Sequence, residues 1–178
     1  MQHDRELAES PSQTAGPYVH IGCMPLHAGI KGIYEHDLHE INAIKGDQRL
    51  EISVFDGAEN AVTDAILEIW IADPAFWSRC AFDEESGFYR LNFPKPVQRL
   101  ESGNLISAPH ISVFLAARGI NIGLNTRIYF PQENNEIDHV LQRIDVDRRA
   151  TLIAEKTNSA YRFDIHLQGE METVFFDI

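Results

Sequence analysis

The sequence predicts an all-β protein, namely an antiparallel β-sandwich of about seven to eight strands with one short helix and an extended N-terminal arm. Two observations predict this class. Short segments alternate apolar and polar residues with a period of two and end at turn-forming residues. A single segment has helical spacing, and no internal repeat or linker divides the chain. We therefore expect residues 1–178 to form one domain, in which residues 1–47 provide the arm and loops.

The N-terminal part has no strand pattern. Residues 1–10 are charged and polar, which predicts a flexible arm and shows no secretory signal. The next segment, Pro11–Gly22, contains two prolines and two glycines, and we expect order there only where it docks on something. Residues 23–47 mix small, charged and glycine residues, which is typical of a loop.

Strand patterns begin at residue 48. In the clearest of them, Tyr161, Phe163 and Ile165 alternate with charged or polar residues. The C-terminal pattern is apolar on both faces, which predicts burial on both sides, for example by a second subunit. In chain order, the predicted strands are Leu50–Val54, Ala65–Ile71, Phe88–Phe93, Pro109–Ala116, Thr126–Phe130, Thr151–Glu155, Tyr161–Leu167 and Thr173–Ile178.

The predicted helix is Glu136–Arg143. Its apolar residues Ile137, Val140 and Leu141 recur at helical spacing, and acidic residues precede them.

Composition excludes several classes of protein. The 27 acidic and 15 basic residues give a net charge of −12, which argues against an unaided role with nucleic acid or an anionic membrane. No apolar run approaches the roughly 20 residues that span a bilayer. Cys23 and Cys80 cannot form a disulfide framework, and we expect both to be reduced thiols in a cytoplasm.

Common catalytic and metal-binding motifs are absent from the sequence. It contains no nucleotide-binding glycine loop, no G-x-S-x-G, no C-x-x-C and no H-E-x-x-H. His36 and His39 have helical spacing but no third ligand nearby, so we interpret them as surface histidines. Trp70 and Trp77 are interpreted as core or interface aromatics.

Two segments are candidates for binding. Thr14-Ala15-Gly16-Pro17-Tyr18 places a flexible glycine beside a rigid proline, so the backbone could approach a ligand closely, or the segment could be an ordinary surface turn. Arg118 follows an apolar strand. Its guanidinium could hold a carboxylate through two parallel hydrogen bonds, or could pair with one of the chain's own acidic side chains.

Five segments match one enzyme family in the same order along the chain. They are Pro11–Gly22, Leu67–Asp73, Ala108–Ser112, Ala117–Ile122 and Tyr161–Asp177. Together they resemble the α subunits of intradiol ring-cleaving dioxygenases of the protocatechuate 3,4-dioxygenase type. The match extends from the first of these segments to the C-terminus and is more specific than any single motif.

The resemblance implies a cytoplasmic β-sandwich enzyme of aromatic catabolism, in the β-ketoadipate pathway. It also implies pairing with a catalytic β subunit, with αβ pairs repeated in a larger assembly. In such enzymes the β subunit holds a non-haem ferric ion, Fe(III), with two tyrosines and two histidines. The reaction opens the ring of protocatechuate between its hydroxyls and inserts both atoms of O2, giving 3-carboxy-cis,cis-muconate.

The iron ligands of the family are missing from this chain. The family's catalytic chain has an H-x-H pair, and here His110 is followed by Ser112 at the second position. No tyrosine occurs in 71–88 or in 90–128, where the two ligand tyrosines are expected by resemblance. A lone histidine cannot hold ferric ion against water. We therefore expect no catalytic residue and no metal ligand in this chain, and Fe(III) only in the partner.

By resemblance, an α chain contributes to the cavity over its partner's iron. Thr14, Gly16 and Pro17 resemble the loop that lines this cavity, and Arg118 resembles the family's cation at the carboxylate end of the substrate. The segment formed by residues 73–87 is shorter than the corresponding loop of the family. We therefore assign none of the contacts of the family's loop to this chain. The alternative is a transthyretin-like sandwich used for binding or scaffolding. A self-sufficient intradiol dioxygenase conflicts with the missing tyrosines.

Overall fold

The computed structural model describes residues 13–37 and 46–177. Of the sequence-based expectations, the flexible arm at 1–10, the assignment of His39 and the final residue of the last predicted strand lie outside the described residues. The described part contains one α-helix and ten strands: α1 (Pro17–Cys23), β1 (Gln48–Phe55), β2 (Ile66–Ile71), β3 (Phe76–Asp83), β4 (Phe88–Phe93), β5 (Arg99–Leu100), β6 (Ile106–Ser107), β7 (His110–Ala116), β8 (Leu124–Tyr129), β9 (Glu155–Lys156) and β10 (Tyr161–His166). No helix among these residues is long and apolar enough to cross a membrane.

Eight of these strands form one curled sheet in the order β8-β7-β2-β3-β4-β1-β10-β9, and β5 and β6 form a small ribbon. All described strand pairs are antiparallel except β1 with β10. Strand β3 joins the two halves of the sheet, because its first part pairs with β2 and its last residues pair with β4. The halves pack on a common core, and the predicted all-β fold is confirmed.

The core follows the predicted alternation. In β1 the buried residues are Leu50, Ile52 and Val54, while the residues between them are partly exposed. Residues of β2, β7 and β10 with the same alternation complete the same cluster. Since burying one large aliphatic side chain contributes about 1.5–3 kcal/mol, this shared core fixes the register of the strands.

The predicted helix at 136–143 is wrong. The chain forms two short 3-10 turns there, Asn135–Ile137 and Leu141–Arg143, on either side of an extended Asp138. The carboxylate of Asp138 accepts hydrogen bonds from the backbone N–H groups of Val140 and Leu141, each at 2.9 Å. A side chain that bonds to nearby backbone in this way competes with helical hydrogen bonding.

The α-helix lies instead in the N-terminal segment that was predicted to be arm and loop. Its first residue is Pro17, a position where the missing N–H of proline costs nothing. The sequence pattern also missed β3. The residues that β3 turns inward include Ser78 and Cys80, so its alternation is weakly apolar. The turn after β3 contains Gly87 at a φ of +77°.

The two remaining strand predictions are largely wrong. Most of Thr151–Glu155 belongs to a 3-10 turn, Arg149–Leu152, or is irregular. The C-terminal segment makes an isolated bridge between Phe176 and Asn125 rather than a strand. Its apolar side chains are partly covered within the chain, because Phe175 packs on the main core and Val174 and Phe176 pack on a second, smaller cluster.

Candidate functional site

The N-terminal binding candidate is fixed to the body of the protein by Thr14. The hydroxyl of Thr14 accepts a hydrogen bond from the backbone N–H of Gly119 at 2.8 Å. It also lies 3.3 Å from the carbonyl oxygen of Ala117, to which it can donate. These partners flank Arg118, more than a hundred residues away in the chain. The structure therefore brings together the two segments that the sequence singled out separately.

Gly16 is the residue before α1. A Cβ built on Gly16 has no other atom within 4 Å, so no contact within this chain requires a glycine. The absence of a side chain instead leaves backbone bare at the surface, where a ligand or a second chain can approach it closely. Pro17 begins α1, which fixes the direction in which the chain leaves this surface.

Arg118 lies on the turn after β7 and is mostly exposed, with 71% of its side chain accessible. The turn depends on Gly119, whose φ of +82° favours glycine. The guanidinium forms an ion pair with Asp64, at 2.5 Å between Nη2 and Oδ2. Within this chain, Arg118 thus pairs with one of the chain's own carboxylates, which was the alternative to ligand binding. A guanidinium has five N–H donors, so this pair leaves donors for a second carboxylate.

An open hollow of about 730 Å³ adjoins Arg118. The residues that line it are Asp56, Gly57, Ala58, Arg118, Gly119, Ile120, Asn121, Leu124, Leu167 and Gln168. Small-molecule sites commonly bury most of their ligand. A hollow this open does not enclose a ligand by itself, and a second surface is needed to close it.

His110 offers a single nitrogen to a metal, and the described residues provide no further ligands beside it. Its Nδ1 lies 2.8 Å from the carbonyl oxygen of Ala108, which can only accept, so Nδ1 carries a proton and Nε2 is the one nitrogen left to bind a metal. Desolvation and the nearby charge of Arg127 lower the pKa of His110. The described residues contain no group of three or more His, Cys, Asp or Glu side chains that could hold a metal.

A buried carboxylate network lies next to His110, and sequence reasoning missed it. Asp138 is fully buried and accepts hydrogen bonds from the hydroxyl of Tyr129 and from the backbone N–H of Ala108, both at 2.9 Å. Burial by itself raises the pKa of Asp138, but these bonds, the N–H of Leu141 and the charge of Arg127 outweigh it, so the pKa lies below its usual value. No sequence motif marks Asp138, because its partners come from separate segments.

The aromatic and cysteine predictions have mixed outcomes. Trp70 and Trp77 are exposed by 47% and 39%, so they are not core residues, and an interface role for them stays a prediction. Cys23 and Cys80 are both free thiols in the structure.

Comparison with known proteins gives the family. No family model matches the chain. A protein from Pseudomonas putida named protocatechuate 3,4-dioxygenase alpha chain is 40% identical in an alignment of 196 positions, which covers 96% of this chain and 97% of that protein. The chain belongs to the protocatechuate 3,4-dioxygenase alpha-chain family. A protein of the same name from Burkholderia cepacia is 35% identical, over 97% of this chain and 98% of that protein.

Solved structures of intradiol enzymes share the fold. Hydroxyquinol 1,2-dioxygenase from Pseudomonas putida DLL-E4 superposes with a TM-score of 0.56 over 90% of this chain and 68% of its own, at 13% identity. At this identity the likeness shows the fold alone. The resemblance found in the sequence is confirmed, as is the expectation that this alpha-chain family member is part of an oxidoreductase.

Proposed function

We propose that this chain is the non-catalytic α subunit of a protocatechuate 3,4-dioxygenase. It pairs with a catalytic β subunit that holds Fe(III), and αβ pairs repeat in a larger assembly. The enzyme cleaves protocatechuate with O2 to 3-carboxy-cis,cis-muconate. The observation that best supports the proposal is the hydrogen bonding between Thr14 and the turn that carries Arg118. These bonds place two segments that match the family side by side.

In this proposal the chain builds one wall of the substrate cavity. Arg118 offers donors to the carboxylate of the substrate, in a cavity where a desolvated guanidinium binds strongly. Thr14 holds the loop against the Arg118 turn, and Gly16 and Pro17 form the bare wall beside it. The open hollow next to Arg118 becomes a closed cavity only when the partner covers it, which also excludes water.

The chemistry belongs to the partner in this proposal. His110 offers only its Nε2 and position 112 is a serine, so the described residues provide no donor set for ferric ion. When bound in the partner, the iron supplies the activation of the catechol for reaction with O2. The family match does not favour the transthyretin-like scaffold with no part in catalysis.

We further propose that residues 1–178 act as one domain and that the enzyme is cytoplasmic. Two unpaired thiols, one of them buried, support a reducing compartment.

The experiment that tests the proposal replaces Arg118 in the αβ complex. Arg118→Ala should lower kcat/KM for protocatechuate roughly ten- to a hundred-fold, about 1.5–3 kcal/mol, because one partner of a charged hydrogen-bonded pair is lost. Arg118→Lys should recover only part of the lost kcat/KM, since the ammonium group of lysine lacks the parallel N–H donors of the planar guanidinium. Steady-state kinetics with catechol, which has no carboxylate, should change much less.

Arg90→Ala is the matched control. Arg90 is exposed too, with 40% of its side chain accessible, and it also forms an ion pair, with Asp83 at 2.8 Å. The Arg90→Ala variant should leave kcat/KM unchanged for both protocatechuate and catechol. If Arg118→Ala slows protocatechuate and catechol equally, then Arg118 supports the fold or the subunit contact, and its proposed role at the carboxylate is wrong.

A further inference from the structure

A second hollow lies on the outer face of β2, β3, β7 and β8. The strand register places Trp77 opposite Trp70, Trp70 opposite Ser112, and Ser112 opposite Arg127. These four side chains therefore form one row across the four strands. In the neighbouring row, Glu68 lies opposite Phe114.

The small side chain of Ser112 creates the hollow. It stands in the row between Trp70 on one side and Arg127 on the other, so a gap remains between two large side chains. Phe114 and Phe176 supply further aromatic surface at its edge. The volume is about 330 Å³, at the lower end of the usual range for small-molecule sites. The hollow shares no lining residue with the one beside Arg118.

Arg127 gives this aromatic hollow a cationic end. Its Nη1 donates to the hydroxyl of Tyr129 at 3.3 Å and lies 3.8 Å from Oδ1 of Asp138. The carboxylate of Asp138 is fully buried and already accepts several closer hydrogen bonds. Among the described residues, the other two guanidinium nitrogens have no hydrogen-bond partner. They are free to bind an anion that enters the hollow.

The other charges that face the hollow do not oppose an anion. The carboxylate of Glu68 is held by Arg79, at 2.7 Å to Nη2 and 2.8 Å to Nε. The guanidinium of Arg79 also lies over the ring of Trp77, 4.9 Å from its centroid. The charges of Glu68 and Arg79 thus cancel each other at the Trp77 end of the row. Arg127 is then the cation nearest the gap above Ser112.

We propose that this hollow binds a small aromatic carboxylate. The ring lies over Ser112 against Trp70 and Phe114, where aromatic faces and edges attract one another. The carboxylate accepts two hydrogen bonds from Arg127. This inference rests on the geometry of the outer face alone and does not depend on the proposed function.

The two tryptophans of the chain report directly on this site, because both line the hollow. The full chain is labelled with 5-fluorotryptophan and titrated with benzoate, alone and after assembly with an unlabelled catalytic partner. We expect both fluorine resonances to shift in a saturable way. Benzyl alcohol, with the same ring but no charge, should bind about tenfold more weakly or worse, since a charge-assisted hydrogen bond contributes about 1.5–3 kcal/mol.

Two variants make the test decisive. Ser112→Leu fills the gap without changing any charge, and Arg127→Gln removes the cation. Each should abolish the benzoate shift, and the filling variant remains informative even if loss of Arg127 destabilises the fold. Arg118→Ala should leave the shift unchanged. The proposal fails if neither variant weakens benzoate, if benzyl alcohol binds equally well, or if the assembled chain no longer responds because the partner covers the hollow.

Discussion

Thr14 and Asp138 show how single side chains connect distant parts of this chain. Thr14 joins the N-terminal loop to the turn that carries Arg118, through one hydroxyl. Asp138 joins the 3-10 turns to Tyr129 and Ala108, through one buried carboxylate. The first residue holds a candidate site at the surface, and the second stabilises the fold. Their substitutions should therefore have different consequences.

Thr14→Val should reduce activity at only a small cost in stability. Valine has the shape of threonine but leaves the N–H of Gly119 without its partner, which costs about 0.5–1.5 kcal/mol because this bond is near the surface. We expect kcat/KM for protocatechuate in the αβ complex to fall by about two- to tenfold. Thr14→Ser keeps the hydroxyl and should retain most of the activity. A serine variant as impaired as the valine variant would contradict a role for the hydrogen bond.

Asp138→Asn should destabilise the chain by about 3–5 kcal/mol, because it breaks a buried charged network. The amide cannot satisfy both sides. If its oxygen faces the N–H groups of Val140 and Leu141, its NH2 group is turned towards the N–H of Ala108, and two donors meet. Urea unfolding of the chain in its αβ complex measures the effect. Tyr129→Phe, which removes a single bond to the same carboxylate, should cost less.

The effect of Asp138→Asn on stability should depend on pH. The folded pKa of Asp138 lies below its ordinary value of 3.8, so its ionised form stabilises the fold. That contribution is fully present above the unfolded pKa and is lost as the pH falls through the folded pKa. The stability difference between wild type and Asp138→Asn should be constant near neutrality and should shrink below about pH 4. A constant difference down to pH 2 would show that the charge is unimportant.

At the scale of elements, β3 and β4 hold the sandwich together. Strand β3 belongs to both halves of the sheet. Strand β4 carries Tyr89, whose buried hydroxyl accepts from the N–H of Ala65 at 2.8 Å and donates to the carbonyl of Val62 at 3.0 Å. This hydroxyl anchors the segment that leads into β2, together with a backbone hydrogen bond from the N–H of Val62 to the carbonyl of Val54 at 2.8 Å.

Tyr89→Phe should therefore destabilise the fold by about 1–3 kcal/mol, since it leaves a buried N–H and a carbonyl without partners. Thermal and urea unfolding of the αβ complex give the value. Tyr161→Phe is the matched control. The hydroxyl of Tyr161 accepts from the side-chain amide of Gln132 at 2.6 Å, and that amide can turn to water instead. If both variants lose the same free energy of unfolding, the hydrogen bonds of Tyr89 to the segment before β2 stabilise the fold no more than an ordinary surface hydrogen bond does.

At the scale of the whole molecule, the surface of the chain carries an open hollow and exposed aromatic side chains. The hollow beside Arg118 is open, Tyr18 of α1 is 82% exposed, and two tryptophans lie on an outer face. Tyrosine and tryptophan are common anchors of protein interfaces. These features agree with a subunit that completes its site in a complex.

The chain purified without its partner should be colourless and should hold no stoichiometric iron. Tyrosinate-to-iron charge transfer colours ferric sites of this kind, and the chain lacks both the tyrosines and the second histidine of the family pattern. Elemental analysis and the visible spectrum measure this directly. One iron per chain with a visible charge-transfer band would overturn the assignment of iron to the partner. Iron recovered only in the αβ complex, at one per pair, would support it.

Much of the fold could be predicted because strand patterns are local. Leu50, Ile52 and Val54 alternate within a few residues of one another, so their common face is visible in the sequence. The weak pattern of β3 was missed because a serine and a cysteine occupy its inward positions. The helix at 136–143 was wrong because the carboxylate of Asp138 takes the hydrogen bonds that a helix would have used.

Sequence patterns were enough to predict the all-β class, the family, and Thr14, Gly16, Pro17 and Arg118 as candidates for the site. Each of these depends on residue types and spacing along the chain. Only the tertiary structure decided that Thr14 bonds to the turn of Arg118, that Arg118 pairs with Asp64, and that Arg127 ends an aromatic row. Such contacts join residues far apart in the chain, and short-range patterns carry no information about which distant segments the packed core brings together.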